Sequence, residues 1–544
     1  MLDLIAGAGG GSIVEVRHWV AVEEGSGAMV EDERADGIMR RRLPRRKLLQ
    51  GALAGAAAGL IACESKGNTA KSTKTDSGQT AQPASTPILG QSSQGANAIV
   101  IVLDSLRVDH LGCYGNDWIK TPNMDALAKE SIVFTRAFPQ AMPTIPMRVV
   151  LHTGQQVWPY RNWVSRVGVD SLWPGWGPIP EESVTLSETL VKENFQTGIV
   201  SDTYHYWPPG MNFHRGFRQY IWVRGQEADP YRSPLPVTQE QVDAVFNPEV
   251  SKDIEGLKFF ATISVQEYLA NQAGRTKEED YQTLRVFNEA TNWLEASRKA
   301  NRFFLLLDAF DPHEPWDPPQ EYVDMYDPGY EGPGMIAPLY SPVNYLSESE
   351  LKQMRARYAA EVTFVDKWLG IFLDAVRQLG MLDNTLLIFT SDHGHQLAEH
   401  GIIGKLPQGL YYELMDVPLI VRRPGGEGAG QRVDALVQHQ DIMPTVLNFL
   451  GVPAIAPLPG LDLVDLAEGR APPRDHVSSG LKSYSWCRDS QYTFMMSNDD
   501  TDQRLYDMTV DPLQALNLVE EAGDAVEGMK RKLLDDAGGS LPMT

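Results

Sequence analysis

Five short runs of Val, Ile, Leu and Phe recur along the chain, and each ends abruptly in polar residues. The runs are AIVIVLDS from Ala98, TGIVSDTYH from Thr197, FFLLLDAFDPH from Phe303, TLLIFTSDHGH from Thr385 and VPLIVRRPG from Val417. Because they lack the alternation of a half-exposed strand, they are typical of parallel strands that are covered on both faces.

Between these runs, apolar residues recur with the spacing of a helix. The clearest series comprises Leu351, Met354, Tyr358, Val362, Val365, Leu369, Phe372, Val376 and Leu379, and Gly380 ends it. Strands that alternate with helices predict an α/β fold with a large doubly wound, mostly parallel sheet flanked by helices. Ligands of such sheets bind beyond the carboxyl ends of the strands, so the polar residues that end the runs are expected to converge.

The pattern changes near Arg474. The segment SYSWCRDSQYTFMMSNDDTDQRLYDMTVDP is aromatic and broken by turns, which predicts a small antiparallel sheet. The Pro- and Gly-rich segment YDPGYEGPGMIAPLYSP predicts an irregular loop. We therefore expect one large domain over residues 98–470 and a small C-terminal α+β subdomain over residues 471–544.

The first 62 residues follow a different pattern. Arg45 and Arg46 precede a weakly apolar, Gly- and Ala-rich run that ends at Ala62, directly before Cys63. This arrangement resembles a twin-arginine export signal that ends in a lipoprotein cleavage box. The run is too short and too rich in Gly and Ala for a membrane span, which needs ~20 strongly apolar residues. A buried Ala/Gly helix is the alternative, and Met39 is an alternative start of the signal.

This reading makes residues 1–62 an export signal with its preceding segment. Cys63 would be lipidated and would attach the protein to a membrane, and residues 63–97 would form a flexible linker. The expected location is the cell envelope, on the periplasmic side or on the outer face of the membrane.

Composition excludes some functions. With 42% hydrophobic residues and 12 Trp the chain is globular, and its net charge of -23 argues against nucleic acid as a partner. Cys113 and Cys487 are far apart in the sequence, and isolated buried thiols are the expectation for both.

Candidate chemistry lies at the ends of the apolar runs. Asp104 ends the first run, and Asp392 and His393 end a later one, so two carboxylates and an imidazole could meet at one cation. Thr144 stands in MPTIPMRVVLHTG, four residues before Arg148, where a helix-like segment begins. It could be a nucleophile, the cap of a helix, or both.

Six motifs then indicate a family. They are NAIVIVLDSLRVDHLGCYG, TPNMDALAKES, TIPMRVVLHTG, DPHEPWDPP, TSDHGHQLAEHGIIGK and LYDMTVDP. In this order they resemble the sulfatase family of the alkaline phosphatase superfamily, over Asn97 to Leu518. The resemblance implies an alkaline phosphatase-like fold with the catalytic domain over residues 98–470.

The resemblance also assigns roles by position. It makes Asp104, Thr144, Asp392 and His393 the ligands of one divalent cation, for which it favours Ca²⁺ and leaves Mn²⁺, Mg²⁺ and Zn²⁺ open. It makes Thr144 the nucleophile and places Arg148, His313, Lys405 and His205 as further catalytic residues. Ordinary alternatives remain: Lys405 on the surface, Arg148 on a helix surface, and His313 and His205 as loop or core histidines. His395 is expected to be a hydrogen-bonding partner of the site rather than a ligand.

Two departures from the family change the expected chemistry. Family sulfatases oxidise Cys or Ser to a formylglycine aldehyde, whereas oxidation of Thr144 could give only a ketone, so we expect no formylglycine. Lys405 stands where a second-metal histidine would be expected in phosphatases, which favours one metal and a singly charged ester.

The sequence therefore predicts a metal-dependent hydrolase that cleaves a sulfuric or phosphoric ester, including phosphodiesters and phosphonates, through Thr144. Its substrate would be a small molecule or a glycan ester. The competing hypothesis is a catalytically inactive lipoprotein that binds sulfated or phosphorylated glycans.

Overall fold

The computed structural model describes residues 95–161, 173–246, 255–300 and 302–542, with the side chains of residues 255–262 excepted. The predicted export signal, Cys63 and all but the last three positions of the predicted linker lie outside the described residues. Of those three positions, Asn97 already belongs to the first strand.

Among the described residues, eight strands form one large sheet. Along the chain, the strands of the structure are β1 Asn97–Leu103, β2 Ile132–Phe138, β3 Gln196–Ser201, β4 Gln219–Trp222, β5 Phe303–Ala309, β6 Thr385–Ser391, β7 Gln396–Leu397, β8 Ile403–Gly404, β9 Val417–Arg422, β10 Arg432–Gln438, β11 His476–Leu481, β12 Tyr484–Asp489, β13 Tyr492–Ser497 and β14 Gln503–Asp507. The large sheet has the order β10-β2-β9-β6-β1-β5-β3-β4, and β7 and β8 form a separate hairpin. All five predicted apolar runs are strands of the large sheet.

One strand runs against the expected direction. Strand β9, from the run VPLIVRRPG, is antiparallel to both of its neighbours, β2 and β6, whereas the other neighbours pair in parallel. The chain returns from β6 to β9 through the β7–β8 hairpin, loops and the four-residue helix Tyr412–Met415. Without a crossover helix to carry it back to the other end of the sheet, the next strand is antiparallel.

Helices flank the sheet. They are α1 Pro122–Lys129, α2 Thr144–Thr153, α3 Leu186–Lys192, α4 Gln239–Asp243, α5 Glu255–Asn271, α6 Gln282–Ala296, α7 Gln320–Val323, α8 Glu348–Gln378, α9 Tyr412–Met415, α10 Ile442–Leu450, α11 Leu463–Ala467 and α12 Gly523–Asp536. The predicted helical series coincides with α8, which begins where Ser347 and Glu350 cap each other's backbone amides and ends before Gly380. None of the helices in the described part of the chain is long and apolar enough to cross a membrane.

Both faces of the sheet are covered, as the apolar runs predict. In β1, Val100 and Val102 pack into a core that includes α2 and α10, while Ile99 and Ile101 pack into a second core that includes α8. All residues of β1 are buried, which explains why its sequence shows no alternation of apolar and polar positions.

The C-terminal segment forms the predicted antiparallel sheet, β11-β12-β13-β14, with α12 packed against it. This sheet contacts the segment before Thr144 through Tyr160. The Tyr160 hydroxyl accepts a hydrogen bond from the Met142 amide at 3.0 Å and lies against the Gly480 carbonyl at the end of β11. The small sheet therefore supports the chain where α2 begins.

Candidate active site

The carboxyl ends of β1 and β6 bring the predicted acids together. The two strands are parallel neighbours, and Leu103 is paired with Ser391. The next residues along each strand are Asp104 and Asp392, so the two carboxylates emerge side by side at one edge of the sheet.

Asp104, Asp392 and His393 form a compact group of possible ligands. One ligand atom from each residue lies within 4.8 Å of the others, and all three side chains are fully buried. The His393 Nδ1 is 2.9 Å from the Gly394 carbonyl and carries the hydrogen, which leaves the lone pair on Nε2. Nε2 lies 3.3 Å from an Asp392 oxygen, so the imidazole presents its lone pair to the carboxylates.

The charges in this group fit a cation. Burial, followed by the charge of Asp392, raises the pKa of Asp104 well above its usual value. Burial also opposes the charge of Asp392, but His393 and Arg148 outweigh it and lower the pKa of that carboxyl. One Asp104 oxygen, Oδ2, accepts no hydrogen bond from any described group, and its one ion-pair contact among them is Arg148 Nη1 at 3.0 Å. Two buried carboxylates and one neutral imidazole are the ligand types that Ca²⁺, Mn²⁺, Mg²⁺ and Zn²⁺ take, so the residues fit such an ion.

Thr144 is the first residue of α2 and is 2% exposed. Its Oγ1 lies 3.4 Å from the His393 Nε2, which places the hydroxyl at the candidate cation site. The cap of α2 is Pro143, and no side chain forms a capping hydrogen bond. The hydroxyl of Thr144 is therefore not used by the helix, although the amides of the first turn favour an anion beside it.

Arg148 lies one turn further along α2 and is fully buried. Its Nε and Nη2 donate to the two oxygens of Asp308 at 2.9 and 2.7 Å. Its Nη1 lies 3.0 Å from Asp104 and contacts Asp392 as well. Three buried carboxylates thus surround one guanidinium, and a divalent cation would balance the remaining negative charge.

Asp308 is held from the other side too. It accepts hydrogen bonds from Thr203 at 3.2 Å and from the Tyr206 hydroxyl. These additional donors fix the position of the Asp308 carboxylate, and its two hydrogen bonds to Arg148 then fix the orientation of the guanidinium.

His313 and Lys405 form a second buried pair. Lys405 Nζ donates to His313 Nε2 at 2.6 Å, and His313 Nδ1 donates to the Glu314 carbonyl at 2.6 Å. Burial and then the charge of Lys405 lower the pKa of His313 well below its usual value, so the imidazole is neutral. Lys405 is 4% exposed, which contradicts the alternative of a solvated surface lysine.

Ser105 joins this pair to the acids. Its hydroxyl donates to Asp104 at 2.8 Å and lies 3.5 Å from Lys405 Nζ, and its amide donates to Asp392 at 2.9 Å. Ser105 has a φ of 60°, a conformation that costs energy for a residue with a Cβ. The three contacts hold the turn after β1 in this conformation.

His205 stands apart from the other predicted residues. Its ring lies 4.9 Å from Trp176 and 4.0 Å from Tyr204, and its Nε2 is 3.7 Å from Glu227. The Phe310 ring contacts both His205 and His313, with centroid distances of 6.0 and 4.2 Å. A direct role of His205 in catalysis stays a prediction.

Sequence reasoning missed Asp308 and Glu314. Asp308 interrupts an otherwise apolar buried strand, FFLLLDA, and a charge at such a position must be paired. Glu314 lies between His313 and a proline in DPHEPW and is 7% exposed. The sequence shows both carboxylates in unusual positions, but it does not reveal which cation each of them pairs with.

His152, one turn beyond Arg148 on α2, predicts a dependence of stability on pH. Its ring packs edge-on against Phe213 and Phe217 at 5.1 and 5.9 Å, and its Nε2 has no hydrogen-bond partner among the described groups. Burial, followed by the charge of Arg148, lowers the pKa of His152 to about 3. Because the unfolded chain binds the proton near pH 6.5, the stabilisation is complete above that pH and is lost as the pH falls toward 3.

We expect His152→Leu to remove this loss. Between pH 8 and pH 4.5, the free energy of unfolding of wild type should fall by about 2–3 kcal/mol more than that of the variant. Urea unfolding of both proteins at the two pH values measures the difference. Unfolding free energies that change in parallel would contradict a buried neutral His152.

Comparisons with known proteins identify the family of this chain. The sequence profile of the family described as Sulfatase matches residues 96–452, more than half of the chain. An arylsulfatase of Clostridium perfringens is 26% identical over 472 residues, which cover 81% of this chain and 94% of that protein.

Two solved structures share the fold. The phosphonate monoester hydrolase of Agrobacterium radiobacter matches with a TM-score of 0.61 and 22% identity, over 81% of this chain and 95% of that one. A protein solved with its substrate D-glucosamine-2-N,6-O-disulfate matches with a TM-score of 0.61 and 20% identity, over 82% of this chain and 98% of that one. Because the family profile matches more than half of the chain, these comparisons show that the chain belongs to the sulfatase family of the alkaline phosphatase superfamily and is a hydrolase that acts on ester bonds.

Proposed function

We propose that this hydrolase cleaves its ester by attack of the Thr144 hydroxyl on sulfur or phosphorus. The observation that carries the proposal is the position of Thr144 Oγ1, 3.4 Å from His393 Nε2 at the buried group of Asp104, Asp392 and His393. A threonine that only began a helix would not need its hydroxyl at the group of Asp104, Asp392 and His393.

Asp104, Asp392, His393 and Thr144 are the residues that would hold one divalent cation, and Ca²⁺ is our first choice. When bound, such an ion lowers the pKa of a hydroxyl beside it and neutralises charge on the transferred group. Support comes from the donor types and from the excess of negative charge around Arg148.

The protein's own residues perform the remaining work. Arg148, held in place by its two hydrogen bonds to Asp308, supplies a fixed positive charge beside the transferred group. Lys405, beside His313, supplies a second cation and can protonate the oxygen of the leaving alcohol. Burial of all these side chains excludes water and strengthens each of these interactions.

Thr144 requires a double displacement. In the first step the Thr144 hydroxyl gives up its proton as its oxygen bonds to sulfur or phosphorus, the bond to the leaving oxygen breaks, and that oxygen takes a proton from Lys405. In the second step water gives up a proton as it attacks the same atom in line, and the threonine oxygen leaves and regains a proton, so that the net reaction consumes one water. Phosphoryl and phosphonyl groups accept such a sequence readily, so we place phosphodiesters and phosphonates beside sulfate monoesters as substrates.

We further propose that the enzyme works outside the cytoplasm, attached to a membrane through a lipid on Cys63. The supporting pattern is the Arg45–Arg46 pair followed by the Gly- and Ala-rich run and Cys63. Its substrate would be a small-molecule or glycan ester.

A panel of 4-nitrophenyl esters tests the reaction. We expect release of nitrophenol from the sulfate monoester, a phosphate diester or a phosphonate monoester when a divalent cation is present. We expect slower release from the phosphate monoester, which carries a second negative charge. A protein that only binds sulfated or phosphorylated glycans would turn over none of the four, with any added metal, and that outcome would refute the proposal.

A further inference from the structure

Glu314 is a buried carboxylate that the reaction as described does not use. It follows His313 in the sequence and is 7% exposed. One of its oxygens, Oε1, accepts a hydrogen bond from the hydroxyl of Tyr340. Tyr340 comes from the Pro- and Gly-rich loop, which reaches the site and buries this tyrosine there.

The second oxygen, Oε2, faces two histidines. It lies 3.4 Å from His313 Nδ1 and 3.5 Å from His395 Nδ1, and no described group donates a hydrogen bond to it. The His395 ring is fixed by edge contacts with Trp316 and Tyr340, at 5.1 and 5.6 Å. His395 thus lies against Glu314 rather than in the ligand group.

Glu314 lies behind the cation of Lys405. Lys405 Nζ is 2.6 Å from His313 Nε2 and 5.4 Å from the centre of the Tyr340 ring. Glu314 contacts the other ring nitrogen of His313, Nδ1, and the hydroxyl of Tyr340. Burial opposes the charge of Glu314, but Lys405 and then His395 outweigh it and lower its pKa. The carboxylate is therefore ionised at neutral pH.

The same arrangement occurs at the other cation of the site. Arg148 has Asp308 behind it, bound through two hydrogen bonds, and Lys405 has Glu314 behind it, through His313 and Tyr340. Apart from Asp104 and Asp392 of the ligand group, each of the two cations thus has one buried carboxylate on its other side. Together the two carboxylates cancel two positive charges that would otherwise attract a doubly charged group.

We propose that Glu314 is a specificity-determining residue: its buried carboxylate balances the charge of the His313–Lys405 pair, so the site takes a transferred group with one negative charge in preference to a group with two. This inference rests on the proposed function and extends it to the charge class of the substrate. Sulfate monoesters, phosphodiesters and phosphonate monoesters belong to that class, and phosphate monoesters do not.

Glu314→Gln tests the inference, because glutamine keeps the shape and an acceptor for Tyr340 but removes the charge. The probes are methanesulfonate and methylphosphonate, which are similar tetrahedral ions that carry one and two negative charges at pH 8.5. Their binding to the full-length protein with its divalent ion is measured by calorimetry. A charge acting over roughly 8 Å at an effective dielectric constant of about 20 changes an equilibrium constant by about 10- to 30-fold.

We therefore expect wild type to bind methanesulfonate more tightly, and Glu314→Gln to shift the ratio of the two dissociation constants toward methylphosphonate by about 10- to 30-fold. Activity should shift in the same direction, from 4-nitrophenyl sulfate toward 4-nitrophenyl phosphate. Tyr340→Phe, which removes the hydrogen bond and keeps the charge, should leave the ratio unchanged. Glu321→Gln, an exposed substitution of the same type, is the matched control and should also leave it unchanged.

One outcome would overturn the inference: a ratio in Glu314→Gln equal to that of wild type. This includes the case in which general damage to the site weakens the binding of both probes by the same factor. Failure of the proposed function would be seen differently. Wild type would then hydrolyse none of the esters in the panel, at any ratio of the two dissociation constants.

Discussion

Replacing Thr144 by valine should lower kcat/KM by roughly 10⁴-fold or more, on whichever ester of the panel the enzyme prefers. Valine has the shape of threonine and suits a buried position, but it has no oxygen to attack sulfur or phosphorus. Thr144 is 2% exposed and its hydroxyl forms no capping hydrogen bond, so its loss should leave α2 intact. Initial rates of both proteins at equal concentration measure the effect.

Thr144→Ser is the matched control for this experiment. It restores the hydroxyl and omits only the methyl group, so it should recover activity to within about 100-fold of wild type. Recovery by serine separates the loss of the nucleophile from the loss of packing. A valine variant with wild-type kcat/KM would exclude Thr144 from the reaction.

Removal of the divalent cation is the second change with a large expected effect. Exhaustive chelation should lower activity by roughly 10³-fold or more, because Asp104 and Asp392 would then have only the shared charge of Arg148 to balance them beside the attacking oxygen. It should also lower the melting temperature, since a ligand that binds only the folded chain stabilises it. Elemental analysis confirms removal, and the metal that restores both activity and melting temperature identifies the native ion.

Asp392→Asn provides the corresponding variant. Asparagine keeps an oxygen but loses the charge, so the variant should need a higher metal concentration for half-maximal activity than wild type. Full activity of the chelated wild-type protein, with its metal content shown to be negligible, would contradict the ligand group.

Much of the fold could be predicted from local pattern. Continuous apolar runs such as AIVIVLDS became strands covered on both faces, and the spacing of the α8 residues fixed that helix, because burial on one stripe or on two faces is written directly into the sequence. The direction of β9 could not be predicted in this way. An apolar run suits a parallel strand and an antiparallel strand equally well. Only the connection that precedes the run decides the direction of the strand in the sheet.

The candidate site could be predicted only in part. Strand ends pointed to Asp104 and Asp392, because parallel strands bring their carboxyl ends to one edge. The contacts of Tyr340 could not be predicted, because its Pro- and Gly-rich segment has no period that tells a buried loop from an exposed one. The partners of Asp308 and Glu314 also needed the structure, since Arg148 and His395 are far away along the sequence.

The central claim, that Thr144 carries the transferred group, is tested most directly by mass spectrometry. The protein is mixed with its best ester, quenched in acid during turnover and digested, and the peptide that contains Thr144 is sequenced. We predict a fraction of this peptide that carries the transferred sulfate, phosphoryl or phosphonyl group on Thr144, absent from Thr144→Val. The same group found on another residue of an active protein would contradict the account.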